Sequence, residues 1–383
     1  MDRADMLRSF ADRAAQHDAD SSFPAANLAD LRGSELMGML VPSTDGGVDR
    51  PLRQFTTVAR ELGGACLSTA MIWAMHCQQV DIIVRHGSAE LRESVLPRVL
   101  KGETYIASVT TDRQAGAGLM STVSATEVVA GRFNIDRDAP VVTGGNYADG
   151  FLLTVRQPDV QGQRQGVSLI YADRSDLQIE STDDWNMMGM RATASRGLRI
   201  RGSAPFAHLV AGPERFQDVS RDSLVPMAHL GWSACWLGAA EDALRRLLDG
   251  HRRVQNGTRS SRSSDLFHER LARIRVDLEL VSAYLAQVTD EVQSARDNGR
   301  FLDTPAEQIH LNTLKLVASE LCFRAADRMV QLAGLTSGYN KSAPGSLERV
   351  FRDLRSASLN FTNDRLWVGV GAQSLMDRGV RLA

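Results

Sequence analysis

At 383 residues, 43% hydrophobic and 23% charged, the chain has the composition of an ordinary globular protein with room for two or three domains and a sizeable core. A formal net charge of −2 gives no global field that would recruit nucleic acid or an anionic membrane surface. No uninterrupted apolar run approaches the roughly 20 residues of a membrane span.

The N-terminal stretch MDRADMLRSFADRAAQHDAD is charged throughout and lacks the apolar region of a signal peptide. Cys66, Cys77, Cys235 and Cys322 are scattered, form no C-x-x-C pair and sit in apolar helical patterns. They read as reduced core thiols, with no metal site, in a cytoplasmic protein.

Residues 1–103 read as helices. Met6, Leu7, Phe10 and Ala14 recur at helical spacing, and Pro24 opens a second amphipathic stretch. VPSTDGG (41–47) is a turn. A third helix is expected from Leu52 to Leu62, interrupted by Gly63-Gly64, and a long apolar one from Cys66 to Val84. Ser88 caps the next, which ends near Gly102. From 104 to 215 the pattern changes to short β-type runs, among them TYIASVTT, RFNIDRD, FLLTVR, GVSLIYA and RGLRIRG, separated by Gly, Asp and Asn turns. An antiparallel barrel or sandwich is expected there. From 216 to 383 the chain is helical again, with segments 224–254, 265–298 and 304–333 and a last one from Leu347 to the end. Thr304-Pro305-Ala306-Glu307 supplies an N-cap, a proline at N1 and a glutamate at N3. The fold class is therefore α+β: an N-terminal all-α domain, a middle antiparallel β-barrel or sandwich domain and a C-terminal four-helix bundle.

The last segment, LERVFRDLRSASLNFTNDRLW (347–367), carries five charges in its first nine residues and then an uncharged run to Asn363. It is expected to end near its middle and restart, leaving a polar tip at 360–364. There is no G-x-G-x-x-G, Walker loop or H-E-x-x-H. Other local patterns carry a resemblance: SVTTDRQAGAG (108–118), APVVTGGNYADGFLLTVR (139–156), WNMMGMRATASRGLRI (185–200), VQLAGLTSGY (330–339) and LERVFRDLR (347–355). In order and at fitting intervals, they resemble the acyl-CoA dehydrogenase superfamily over essentially the whole chain.

That resemblance implies an FAD-dependent oxidoreductase that oxidises a C–C or C–N bond of an acyl thioester or carrier-protein-bound substrate, with hydride passing to flavin N5. It implies FAD contacts at Thr111, Gly116, Thr143, Arg253, Gln331, Asn363 and Arg365, two of them across a subunit interface, and hence a homodimer or homotetramer. An electron-transfer partner or flavin reductase is implied as well. Arg253 lies in HRRVQNGTRSSR, a basic span suited to phosphate.

The departures carry equal weight. The position of the family's usual base, a glutamate, is Phe361, and the alternative base position is Ala228. The family's serine is replaced by Leu119 and its tryptophan by Val141. Asp364, one helical turn past Phe361, is the candidate substitute base; otherwise it is a cap or ion-pair partner. His76, His229 and Trp185 are expected in the core. The alternative reading is a two-component monooxygenase of the same fold, using FMN or another reduced flavin with O2. Such relatives lack the glutamate, as this chain does, and often show Ser-Gly where this chain has Thr143-Gly144. Many also carry a histidine in the region that Ser358 and Asn360 fill here. A third reading is a flavin-binding scaffold without activity.

Overall fold

The computed structural model describes residues 2–113, 122, 124, 126–156, 166–257, 264–343 and 345–381, with the side chains of 253–257 outside the description. Helices α1 (Arg3–Asp20), α2 (Ala25–Arg32), α3 (Leu52–Ala65), α4 (Leu67–His86) and α5 (Ala89–Leu100) open the chain. Ser88 caps α5 by accepting the Leu91 N–H at 3.1 Å. The glycine pair expected to end α3 lies inside it. Gly63 and Gly238 are where α3 meets α7 (Val225–Gly257). A Cβ on Gly63 would stand 2.2 Å from the Cys235 carbonyl oxygen, and one on Gly238 1.9 Å from that of Arg60. These glycines are a helix–helix contact surface rather than a break.

The β region forms two four-stranded sheets. One is ordered β1 (Ile106–Val109), β4 (Gly150–Arg156), β5 (Val167–Asp173), β8 (Leu209–Ala211). The other is ordered β2 (Val128–Val129), β3 (Arg132–Ala139), β7 (Leu198–Pro205), β6 (Leu177–Ser181). The expected antiparallel arrangement holds except at β1–β4, which pair in parallel with Ile106 opposite Gly150. The sheets are open, not closed into a barrel. Between them Arg137 and Asp112 form an ion pair at 2.9 Å, and both side chains are buried. Arg137 also donates to the Thr111 carbonyl at 2.6 Å, which offsets part of the cost of burying the pair.

After the short α6 (Phe216–Val219) come α7, α8 (Asp265–Asp297) and α9 (Pro305–Gly334). The reciprocal Thr304–Glu307 capping box is formed at the start of α9. The last segment does stop and restart, as α10 (Glu348–Arg355) and α11 (Asn363–Gln373). One continuous core cluster runs from Phe10 and Phe55 through Trp73, Phe151 and Trp236 to Leu354. The four cysteines are free and buried. No helix among the described residues is long and apolar enough to cross a membrane.

Gly63→Ala tests the α3–α7 contact. Overpacking backbone against a methyl group costs about 1–3 kcal/mol, so denaturant unfolding should show a loss of that size. An unchanged midpoint would mean the helices are not in this contact.

Candidate active site

Two non-glycine residues near the β7 end of the molecule adopt left-handed backbone, Met190 (φ 54°) and Ala194 (φ 44°). Such conformations persist only where the surroundings impose them. The restraint is visible: buried Asp353 on α10 accepts the Met190 N–H at 2.5 Å. Gly189 lies so close that a Cβ would stand 2.1 Å from the Arg352 carbonyl oxygen. Arg352 itself donates to the Met188 carbonyl at 2.7 Å and to both Asp18 and Glu348. The WNMMGMRATAS segment is thereby clamped to the signature helix.

Between this segment, α4, α7 and the tip after α10 lies a cavity of about 550 Å³. Met71 and Met75 of α4, Trp236 of α7, and Trp185, Met187, Met188 and Met190 make it mainly apolar. Thr143, Thr193 and Ser195 add hydroxyls, and Arg352, Arg355, Ser356 and Asn360 add a polar side. No aspartate, glutamate or histidine is among the described residues lining it. Arg352 is balanced by its two carboxylates, whereas Arg355 pairs with none among the described residues: it donates to Ser358 Oγ at 2.9 Å and lies 5.6 Å over the Phe323 ring. Trp185, expected in the core, is half-buried and lines this cavity, its Nε1–H given to the Met190 carbonyl at 2.9 Å.

The flavin-contact residues expected from sequence divide by place. Thr143 lines the cavity, and Thr111 donates to the neighbouring Val141 carbonyl at 3.1 Å. Gly116 and the side chain of Arg253 lie outside the described residues. Gln331 is exposed on α9 and donates to Asp327 at 2.8 Å. Arg365 and Asp364 are exposed in the first turn of α11, away from the cavity lining. An acidic residue in that turn suits the helix dipole.

Asn363 is buried. Its Oδ1 accepts from Lys315 Nζ at 2.6 Å and from Ser319 Oγ at 3.2 Å, and its Nδ2 donates to Glu320 Oε1 at 3.1 Å. Lys315 was not singled out from sequence, although a lysine inside the apolar run LNTLKLVASE marks it. Its ammonium also caps the carbonyl of Phe361, at 2.9 Å, the residue that holds left-handed backbone (φ 53°) at the tip. Burial lowers its pKa to about 7. Ala228 is buried. His229 is buried with Nδ1–H donated to the Leu311 carbonyl at 3.0 Å, and burial lowers its pKa to about 3. His76 bridges the Met37 carbonyl and the Ile106 N–H, both at 3.0 Å, its pKa lowered by burial to about 4. Both are core histidines, as expected. No cluster of three or more His, Cys, Asp or Glu among the described residues could hold a metal ion.

The cavity suits the planar ring of a flavin. It has flat aromatic and thioether walls, and its hydroxyls and guanidinium can meet the ring's polar edge and an oxyanion.

Variants at two positions test the framework. Asp353→Ala leaves the buried Met190 N–H without an acceptor and should cost about 1–3 kcal/mol, with a shifted Trp185 fluorescence spectrum. Asp353→Asn, which keeps an acceptor, should cost less. For Lys315 the pKa is lower folded than unfolded, so between about 7 and the ordinary lysine value the unfolded chain holds more protons. Wild-type stability relative to Lys315→Met should therefore rise with pH across that window. A flat difference would show that Lys315 keeps its ordinary pKa.

Comparisons with known proteins agree with this picture. Residues 3–103 match the acyl-CoA dehydrogenase N-terminal domain and residues 230–364 its C-terminal domain. The chain is 23% identical over 370 residues to acryloyl-CoA reductase (NADH) of Anaerotignum propionicum, covering 94% of this chain and 89% of that one. It is 24% identical over 380 residues to the mitochondrial very long-chain specific acyl-CoA dehydrogenase of Bos taurus, covering 97% of this chain but only 56% of that protein. In fold it is similar to dibenzothiophene monooxygenase from Paenibacillus sp. A11-2, with TM-score 0.83 and 16% identity over 99% of this chain and 96% of the other. The chain belongs to the acyl-CoA dehydrogenase superfamily and is a flavoprotein oxidoreductase of that fold.

Proposed function

We propose that this protein is a flavin-dependent monooxygenase that takes reduced flavin and uses O2. The observation that carries the reading is the cavity wall: among the described residues it offers no carboxylate and no imidazole. Desaturation of an acyl thioester needs a base within reach of the α-proton. Oxygen transfer needs no such base, and the Met and Trp walls offer an apolar body beside the Arg352 and Arg355 guanidiniums. Bound reduced flavin supplies the two electrons that activate O2, one oxygen atom entering the substrate and the other leaving as water.

The chain's own groups divide the remaining work. Trp185, Trp236 and the methionines exclude water and pack an apolar substrate body. Thr143 meets the ring's polar edge, with Ser195 behind it at 3.0 Å. Arg355, without a carboxylate partner among the described residues, orients a substrate through an oxyanion such as a carboxylate or a phosphoryl group. We take the protein to act as a homo-oligomer. Leu335 and Tyr339 after α9, and Val368 and Leu375 of the last segment, are 69–84% exposed, an apolar surface that a second copy would cover.

A second reading keeps the dehydrogenase chemistry, because the curated relatives are named for acyl-CoA reduction and dehydrogenation. In it Asp364 would have to swing from its exposed helix turn to serve as base, and Asp364→Asn would have to abolish turnover.

Flavin handling separates the two. The purified protein is titrated anaerobically with oxidised and with dithionite-reduced FMN and FAD, then exposed to air. The expected result is binding of the reduced form, fast reoxidation in air and no bleaching of oxidised flavin by butyryl-CoA. Tight oxidised FAD that butyryl-CoA bleaches and air restores slowly would overturn the monooxygenase reading. If neither oxidised nor reduced flavin binds, both readings are overturned.

A further inference from the structure

Three oxygen–oxygen contacts in the cavity wall form a series whose hydroxyl protons have one direction when every contact is a hydrogen bond. Thr193 Oγ1 lies 2.9 Å from the Met190 carbonyl oxygen, Ser195 Oγ lies 2.8 Å from Thr193 Oγ1, and Thr143 Oγ1 lies 3.0 Å from Ser195 Oγ. Two oxygens at such distances attract only with a proton between them. A carbonyl has none to give, so Thr193 donates to Met190. The Thr193 proton is then spent, so Ser195 donates to Thr193. The Ser195 proton is spent in turn, so Thr143 donates to Ser195. The Met190 carbonyl also accepts the Trp185 Nε1–H at 2.9 Å and the Thr193 N–H at 3.1 Å, so the Thr193 hydroxyl is its third donor; with all three oxygen–oxygen contacts hydrogen-bonded, the hydroxyl protons have this one arrangement.

The chain is well anchored at its closed end. Thr193 and Ser195 are buried, and Met190, whose carbonyl ends the series, is held by Asp353. Thr143 is fixed from behind, its carbonyl accepting the Tyr105 O–H at 3.0 Å. At the open end Thr143 Oγ1, which lines the cavity, has no proton left and presents lone pairs alone.

We propose that Thr143, Ser195 and Thr193 form a one-way hydrogen-bond series that makes the cavity an acceptor site selecting reduced over oxidised flavin. The inference rests on the reading of the cavity as a flavin site and adds which redox state it holds and why. The two states differ at the edge of the ring system: reduction places N–H donors at ring nitrogens that carry bare lone pairs when oxidised. An acceptor-only hydroxyl bonds to the first and meets the second lone pair to lone pair. Thr143 is the group that touches the ring; Ser195 and Thr193 act through it as positioning residues.

The test is the ratio of oxidised to reduced FMN dissociation constants, read anaerobically from quenching of tryptophan fluorescence. The midpoint potential of bound FMN checks it independently. Wild type is expected to favour reduced FMN. Thr193→Val removes the acceptor for Ser195, whose proton turns to Thr143 and frees the Thr143 proton for the cavity. Ser195→Ala frees it directly. Either change should lower the preference about tenfold, the scale of one hydrogen bond, and lower the potential of the two-electron couple by about 30 mV. Thr193→Ser keeps a hydroxyl in place and should keep the wild-type ratio. Equal falls in Thr193→Ser and Thr193→Val, or a ratio unmoved by Thr193→Val and Ser195→Ala, would overturn the inference while leaving flavin binding intact. Absence of binding by either form of FMN would overturn the flavin reading beneath it.

Discussion

The carboxylate of Asp353 against the Met190 N–H is the contact on which the cavity depends. It joins the signature helix to a segment that could not hold its shape alone. Two residues of that segment stand in left-handed backbone, each at a cost of about 1–3 kcal/mol, and four of its apolar side chains, Trp185, Met187, Met188 and Met190, line the cavity. Burial pushes the Asp353 carboxyl up to about 6, and the Met190 N–H bond pulls the other way. The pair thus trades desolvation for a fixed loop. Arg352 repeats the bargain on the outer side, spending its guanidinium on Asp18, Glu348 and the Met188 carbonyl. A residue of the first helix, one of the β-region loop and one of the last helix segment meet there, so the three parts of the chain share one anchor.

At the tip the chain substitutes rigidity for acid–base chemistry. Phe361 sits where the superfamily's base would be expected, and its strained backbone is held by the Lys315 ammonium. Lys315 lies 5.8 Å from the Trp236 ring, whose other side borders the cavity. Phe361 in turn lies 6.3 Å from His229, a ring kept neutral by burial. A carboxylate here would need a partner of its own in a low-dielectric setting. The lysine is already satisfied by the Phe361 carbonyl and the Asn363 amide, and the carboxylate this network reaches, Glu320, is met through Asn363.

Much of this was legible in the sequence. Charges at helical spacing marked the signature helix, and the uncharged run marked where it would stop. The Thr304–Glu307 cap was readable because its four residues are adjacent. What escaped depends on elements distant in sequence. Gly63-Gly64 looks like a break until the Cys235 carbonyl is placed against it. Strands β6 and β8 are short and weakly patterned, with β6 mostly exposed, and the parallel β1–β4 pairing joins segments 44 residues apart. Trp185 has the composition of a core residue and is drawn to the cavity by the clamp on its loop. The flavin contacts read from resemblance fared according to place: Thr143 lies at the cavity, while Gln331, Asn363 and Arg365 belong to α9 and α11.

The hydroxyl series explains why a cavity can lose its carboxylate and still discriminate among ligands. A charge in an apolar wall pays a desolvation penalty and tends to titrate away. A neutral hydroxyl pays little, but by itself it rotates and can donate or accept. Linking it to a second and third hydroxyl that end on a carbonyl removes that freedom without adding charge. The Met190 carbonyl is therefore the origin of the polarity at Thr143, two side chains away, and the Asp353 contact that fixes Met190 also fixes which way the protons point. The clamp that shapes the cavity and the series that gives it polarity are thus one mechanical unit, and Arg355 lines the cavity as a cation with no carboxylate partner among the described residues.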